Sequence, residues 1–394
     1  MTSVSVADIK AVPAQVILVE VRAGSRIELS ETVLDNGSII FKQYHPDFVH
    51  ITGKNPTYSL LVTSVDSSRN PFFEDGCTYL PDQDELYVTS GLLQTTNSSR
   101  LPIILISKIS LHRSQPGDQS IGPSSQVTGV EWMKLRAPPA MPLPVGAIPY
   151  LQGVLYCSQG TLVPESGGLY YMPHGKPPVP VLTGYYNKPF NSIHSVVKDK
   201  SGALWFTDPA IGFEQGIRPR PQLPAQIYYF NPENGDLRVV ADGFTRPSGI
   251  ALNQDESTLY VTDTAASLPD GSTDPRAPAS IYALDVITRS NTPFLANKRV
   301  FAYALSGVPK MVTCDLNGNV YAACSDGVEV WGPGGRALGL IELSGGCTSM
   351  CFGRCGELFI CAKERLWRIQ LEEATSENRK NPLGSDYVIA SSSS

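Results

Sequence analysis

The chain has 394 residues, 42% of them apolar and only 17% charged, with a formal net charge of −6. That is enough chain for two average domains or one large all-β domain, and the sparse charge, with no basic run or aromatic-interleaved patch, argues against a nucleic-acid partner. No stretch reaches the roughly 18 apolar residues that a membrane-spanning helix needs.

In chain order, the first apolar run, Ala11 to Val21, is interrupted by Pro13, Gln15 and Glu20. It has no basic segment before it, so it reads as a first strand and not as a signal peptide. The compartment stays open between a cytoplasmic protein and a secreted one whose leader is missing. Asn36-Gly37-Ser38 and Asn97-Ser98-Ser99 match the glycosylation triplet, a pattern that also arises often by chance.

A repeat organises most of the remaining chain. Its copies are Asp84-Glu85-Leu86-Tyr87-Val88-Thr89, the weaker Gly153-Val154-Leu155-Tyr156-Cys157, Gly202-Ala203-Leu204-Trp205-Phe206-Thr207-Asp208, Ser257-Thr258-Leu259-Tyr260-Val261-Thr262-Asp263, Gly318-Asn319-Val320-Tyr321-Ala322-Ala323-Cys324 and Gly356-Glu357-Leu358-Phe359-Ile360-Cys361. Each is a polar turn followed by an aromatic, β-branched strand. Most are followed by a second strand, such as Gln226-Ile227-Tyr228-Tyr229-Phe230 or Arg365-Leu366-Trp367-Arg368-Ile369. An antiparallel meander repeated about every 40–70 residues predicts an all-β chain, a six-bladed β-propeller of four-stranded blades.

A closed ring needs a strand from one terminus to complete the blade at the other, and Ser59 to Thr63 is the candidate. The expectation is a single propeller domain over 1–394, with its core at about 44–370 and a polar, frayed tail over 371–394. Ser114 to Ser125 and the proline-rich Ala137 to Pro144 read as surface loops. Of the eight cysteines, Cys77, Cys157, Cys314, Cys324 and Cys361 read as buried thiols. Cys347, Cys351 and Cys355 are spaced by four, which is not a zinc pattern and leaves room for one disulfide.

Several blocks in order resemble the SMP-30/gluconolactonase-like propellers, and the fungal lactonohydrolases in particular. They are Lys188-Pro189-Phe190-Asn191-Ser192 leading to Trp205-Phe206-Thr207-Asp208; Gly243-Phe244-Thr245-Arg246-Pro247 leading to Tyr260-Val261-Thr262-Asp263; and Gly318-Asn319-Val320-Tyr321 leading to Asp326-Gly327-Val328. The resemblance runs from about Tyr44 to Ile369. It implies a central calcium held by a Glu, two Asn and an Asp. In this chain those positions fall on Asp75 (or Glu74, with a one-residue shift), His194, Ser248 and Lys310. Calcium takes six to eight oxygens, and a lysine offers only N–H donors. No metal and no cofactor are therefore expected.

The candidate catalytic residues are Lys310, His194 and Asp75. Lys310 stands in for the ion, with its pKa lowered by burial. Asp75 is its counter-charge, and Lys310 or His194 acts as a general acid. Ser248, Tyr186, Phe190, Asn191 and Tyr150 are candidate substrate contacts. The pattern with its missing ligands also resembles fungal propellers that act as hetero-Diels–Alderases in tropolone–sesquiterpenoid biosynthesis. That implies an apolar small-molecule substrate, dehydration of a tropolone-like alcohol to a quinone methide, and addition to a terpene alkene. A lactone hydrolase and a non-catalytic binding propeller are the alternatives.

Overall fold

The computed structural model describes residues 3–19, 37–94, 102–114, 126–268 and 271–372. The polar tail from 373 and most of the 114–125 loop lie outside the described residues, as do Asn36 and Asn97 of the two triplets.

Six antiparallel sheets are arranged as blades. Their innermost strands are Asp75–Leu80, Pro144–Tyr150, Val196–Lys198, Pro247–Leu252, Val312–Cys314 and Ser349–Phe352. The strand that follows each of these is the sequence repeat: Glu85–Thr89, Gly153–Ser158, Leu204–Asp208, Thr258–Asp263, Val320–Cys324 and Glu357–Ala362. Five of these six are buried along their whole length. Both faces of each pack against a neighbouring blade, which is why they read as continuous apolar runs without polar–apolar alternation.

The core is divided among the seams between blades. Tyr87, Ile106, Val154 and Tyr156 fill the seam between blades 1 and 2. Leu155, Leu169, Phe206 and Tyr228 fill that between 2 and 3, and Trp205, Tyr229, Val261 and Leu284 that between 3 and 4. Blades 5 and 6 meet over Tyr321, Ile341, Leu358 and Trp367. Blades 6 and 1 meet over Phe359, Leu366, Tyr79 and Trp132.

Thr57–Thr63, which contains the expected closing strand, pairs with Arg365–Gln370 and completes blade 6. Chain preceding the expected core adds further strands. Ser3–Ala7 lies on the outer edge of blade 1 against Val127–Arg136, and Val12–Pro13 on Thr57–Thr63. Gln15–Leu18 runs parallel to Ile39–Gln43, which itself extends blade 5 by pairing with Ala337–Leu343. The described propeller thus begins well before Tyr44. Across the closing seam, Glu357 joins Arg368 of its own blade (2.6 Å) to Arg113 of blade 1 (2.8 Å), and Arg113 also holds Asp84 (2.6 Å).

All eight cysteines are free thiols. The disulfide allowed for among Cys347, Cys351 and Cys355 is not formed; Cys351 instead faces Cys77, and Cys355 is exposed.

Candidate active site at the mouth of the channel

The four positions singled out from sequence converge because each stands at the start of an innermost strand. The threonine of the repeat sets their spacing. Thr89 Oγ1 donates to the Val145 carbonyl (2.9 Å), Thr207 Oγ1 to that of Ser248 (2.8 Å) and Thr262 Oγ1 to that of Lys310 (2.7 Å). Each bond runs from one blade to the start of the next blade's inner strand. Glycines allow the close approach: a Cβ on Gly146 would lie 2.2 Å from the His194 carbonyl, and one on Gly249 2.6 Å from that of Lys310. The aspartate ending two of the repeats caps the incoming loop. Asp208 accepts from the amides of Asn191 (2.9 Å) and Ser192 (2.7 Å), and Asp263 from those of Thr245 (2.8 Å) and Arg246 (2.9 Å).

The result is a cavity of about 310 Å³ whose mostly polar lining includes Glu74, Asp75, Gln159, His194, Glu214, Arg246, Ser248 and Lys310, with Leu92, Ile104, Val145, Ile211 and Leu268 as its apolar residues. Lys310 Nζ lies 3.2 Å from Glu74 Oε1, with its side chain 42% exposed to the cavity. Glu74 is therefore the direct partner of the lysine, and Asp75 is a second carboxylate beside it. Asp75 opens its strand and Glu74 is in the bend just before it, and both consecutive acids line the cavity.

Burial raises both carboxyl groups, and the Lys310 charge only partly offsets this; Asp75 pushes Glu74 further up. For Lys310, burial is outweighed by Glu74 and Asp75, and its pKa is raised. This corrects the expectation of a lowered lysine pKa: the ammonium is a fixed cation at neutral pH. His194 is depressed to about 4, by burial and then by the Lys310 charge. It is a neutral imidazole, so it is not the general acid expected from sequence. Its Nδ1 has no hydrogen-bond partner. Ser248 Oγ pairs with Thr264 Oγ1 at 2.7 Å, an arrangement that supports a hydrogen-bonding role.

The other candidate contacts lie elsewhere. Tyr186 sits at the turn of the short hairpin joining Gly184–Tyr185 to Lys188–Pro189, with φ of 53° and 81% exposure. Phe190 is core, wedged edge-on against Phe206 and Tyr228. Asn191 is buried and donates to the Leu223 carbonyl at 3.0 Å, anchoring its loop. Tyr150, near the far end of its strand, packs on Tyr171. None of the four lines the cavity.

Sequence reasoning missed Gln159, whose buried Oε1 is unpartnered, and the rim pair Arg246–Glu214 at 2.6 Å. A signal for Gln159 existed: it occupies the repeat position held by Asp208 and Asp263 in blades 3 and 4.

Sequence comparison agrees with this architecture. The profile described as SMP-30/Gluconolactonase/LRE-like region matches residues 140–364, more than half the chain. The chain belongs to this family. Among curated relatives, the gluconolactonase of Zymomonas mobilis is 32% identical over 201 residues, covering 48% of this chain and 53% of the relative. A lactonohydrolase of Aspergillus oryzae is 27% identical over 201 residues, covering 48% and 44%. The chain thus spans about half the length of the curated relatives it matches. Of solved structures, a gluconolactonase from Xanthomonas campestris superposes with a TM-score of 0.62 at 21% identity, over 86% of this chain and 99% of that one, a likeness of fold.

The calcium that the family resemblance implies does not fit this donor set. An ammonium stands against the carboxylate that would bind the ion, and Ser248 Oγ is engaged by Thr264. The remaining imidazole is a poor ligand for a hard cation.

Proposed function

We propose that this protein is an enzyme that acts without a metal ion on a small, mostly apolar, oxygenated molecule held at the channel mouth. The observation that carries the reading is the Lys310–Glu74 pair, 3.2 Å long, at positions that the family resemblance assigns to calcium ligands. A fixed ammonium in a confined site stabilises negative charge developing on a substrate oxygen. The adjacent carboxyl groups, both raised by burial, retain a proton more readily than exposed acids do, and one of them serves as proton donor. Neutral His194 and Gln159 supply hydrogen bonds to the substrate.

Leu92, Ile104, Val145, Ile211 and Leu268 give an otherwise polar cavity apolar contacts for the carbon skeleton of such a molecule. The reaction we assign is loss of water from a hydroxymethyl-tropolone-like alcohol to give a quinone methide, followed by hetero-Diels–Alder addition to a terpene alkene such as humulene. Asp75 or Glu74 protonates the departing hydroxyl, and the tropolone oxygen, bound as its anion beside Lys310, becomes the carbonyl of the quinone methide as water leaves. The cavity holds diene and alkene together and away from water.

Lactone hydrolysis is the second reading, favoured by the names of the relatives. Here Lys310 would polarise the lactone carbonyl and a carboxylate would activate water. The two separate in one experiment. Purified protein is given the tropolone alcohol with humulene, and in parallel gluconolactone and pantolactone, each with and without EDTA. The proposal expects enantioenriched adduct at a rate indifferent to EDTA. It also expects Lys310→Met and Glu74→Gln to lose on the order of 10²-fold in kcat/KM, as for removal of one electrostatic contact. Lactone opening that EDTA abolishes and calcium restores would overturn it.

A further inference from the structure

The far end of the channel carries chemistry that the mouth does not use. The later parts of the same inner strands line a second cavity of about 480 Å³, and both Cys77 and Cys351 are on its wall. They come from the innermost strands of blades 1 and 6, which ring closure brings together from opposite ends of the propeller sequence. Their Sγ atoms are 3.3 Å apart, and Cys77 N–H donates to Ser349 Oγ at 3.4 Å, holding the two strands in register.

Cys77 belongs to the buried cluster at the closing seam, and the less buried Cys351 packs against the same cluster. Either sulfur can donate to the other across this contact. Two thiols this close on a cavity wall have the arrangement of an attacking and a resolving cysteine.

We propose that Cys77 and Cys351 form a reversible disulfide across the seam between blades 1 and 6, by exchange with a low-molecular-weight disulfide entering the lower cavity. The Cys77 thiolate attacks one sulfur of the small disulfide and expels the other as a thiolate. The Cys351 sulfur then attacks the Cys77 sulfur of the mixed disulfide, and its proton leaves with the second small thiol. Two protein thiols are oxidised and one small disulfide is reduced to two thiols. The bond adds a covalent clasp at the one seam that joins the two ends of the ring, on the strand that begins at Asp75.

The test uses the full chain. Reduced protein is incubated with oxidised glutathione, denatured with an alkylating agent and mapped by mass spectrometry, with a thermal melt alongside. The expected result is loss of two of the eight alkylatable cysteines, a cross-link between the Cys77 and Cys351 peptides, a higher melting midpoint, and reversal by dithiothreitol. The Cys351→Ser variant is expected to stop at one glutathione on Cys77. Eight cysteines still alkylated, glutathione retained on Cys355 alone, a persistent mixed disulfide on wild-type Cys77, or a bond mapped to another pair would each overturn the proposal.

Discussion

Lys310 shows how one side chain changes the meaning of a family scaffold. Its ammonium fixes the charge of the mouth, holds Glu74 and adds to the burial that depresses His194. The histidine then has a stability signature. Its folded pKa, about 4, lies below its ordinary value, so its contribution is fully present above about pH 6.5 and is lost as pH falls through 4. Compared with His194→Asn, the wild type is expected to lose stability over that acid window. Paired urea melts from pH 7 to pH 4 check this, and parallel pH dependence of the two proteins would contradict it. The position of Lys310 was legible through the family resemblance, which places it at a ligand-bearing turn; in the structure it stands two residues before the inner strand Val312–Cys314. The choice between Glu74 and Asp75 was not, because Glu74 is in the bend just before the strand, outside the alternation that assigns faces in a strand. The aromatic contacts failed for a similar local reason. A two-residue hairpin turns Tyr186 outward, and the segment after it buries Phe190, which a loop reading does not foresee.

The inner strand and its repeat partner form the unit that delivers each site residue. Thr262 Oγ1 accepts from Gly249 N–H and donates to the Lys310 carbonyl, both at 2.7 Å. Thr262→Val leaves a buried donor and acceptor with weaker partners, at a cost of about 1–3 kcal/mol. It should lower kcat/KM in addition, because it loosens the strand carrying Lys310, whereas Thr262→Ser should restore both. Unchanged activity in a destabilised Thr262→Val protein would show that this bond does not position the lysine. Glu329 acts at the same scale. Its carboxylate accepts from the amides of Leu305 and Ser306, tying down the loop that leads into Lys310. This role was not readable from sequence, since the partners are backbone groups of a segment more than 20 residues away.

At the scale of the whole molecule, the ring was the most legible feature. Its second strands are buried on both faces and so carry long apolar runs that repeat. The strands added by the N-terminal segment were only partly legible: Ser3–Ala7 lies exposed at a blade edge, and few of its residues need to be apolar. What holds the ring shut is strand pairing at Thr57–Thr63 together with the Glu357 cluster between blades 6 and 1. Glu357 is 2% exposed and serves two guanidinium groups. Glu357→Gln should therefore destabilise by about 3–5 kcal/mol, the usual cost of leaving a buried ion network short of one charge. A loss below about 1 kcal/mol in urea melts would mean that the closing seam relies on its apolar contacts alone.

The central claim is that a protein cation has taken the place of the family's metal ion. Calorimetric titration of calcium chloride into EDTA-stripped, dialysed protein tests it without any knowledge of the substrate. The account predicts no saturable site up to about 1 mM calcium, and the emergence of none in Glu74→Gln; a one-to-one site with Kd in the range of roughly 10⁻⁷–10⁻⁴ M in the wild type would contradict it.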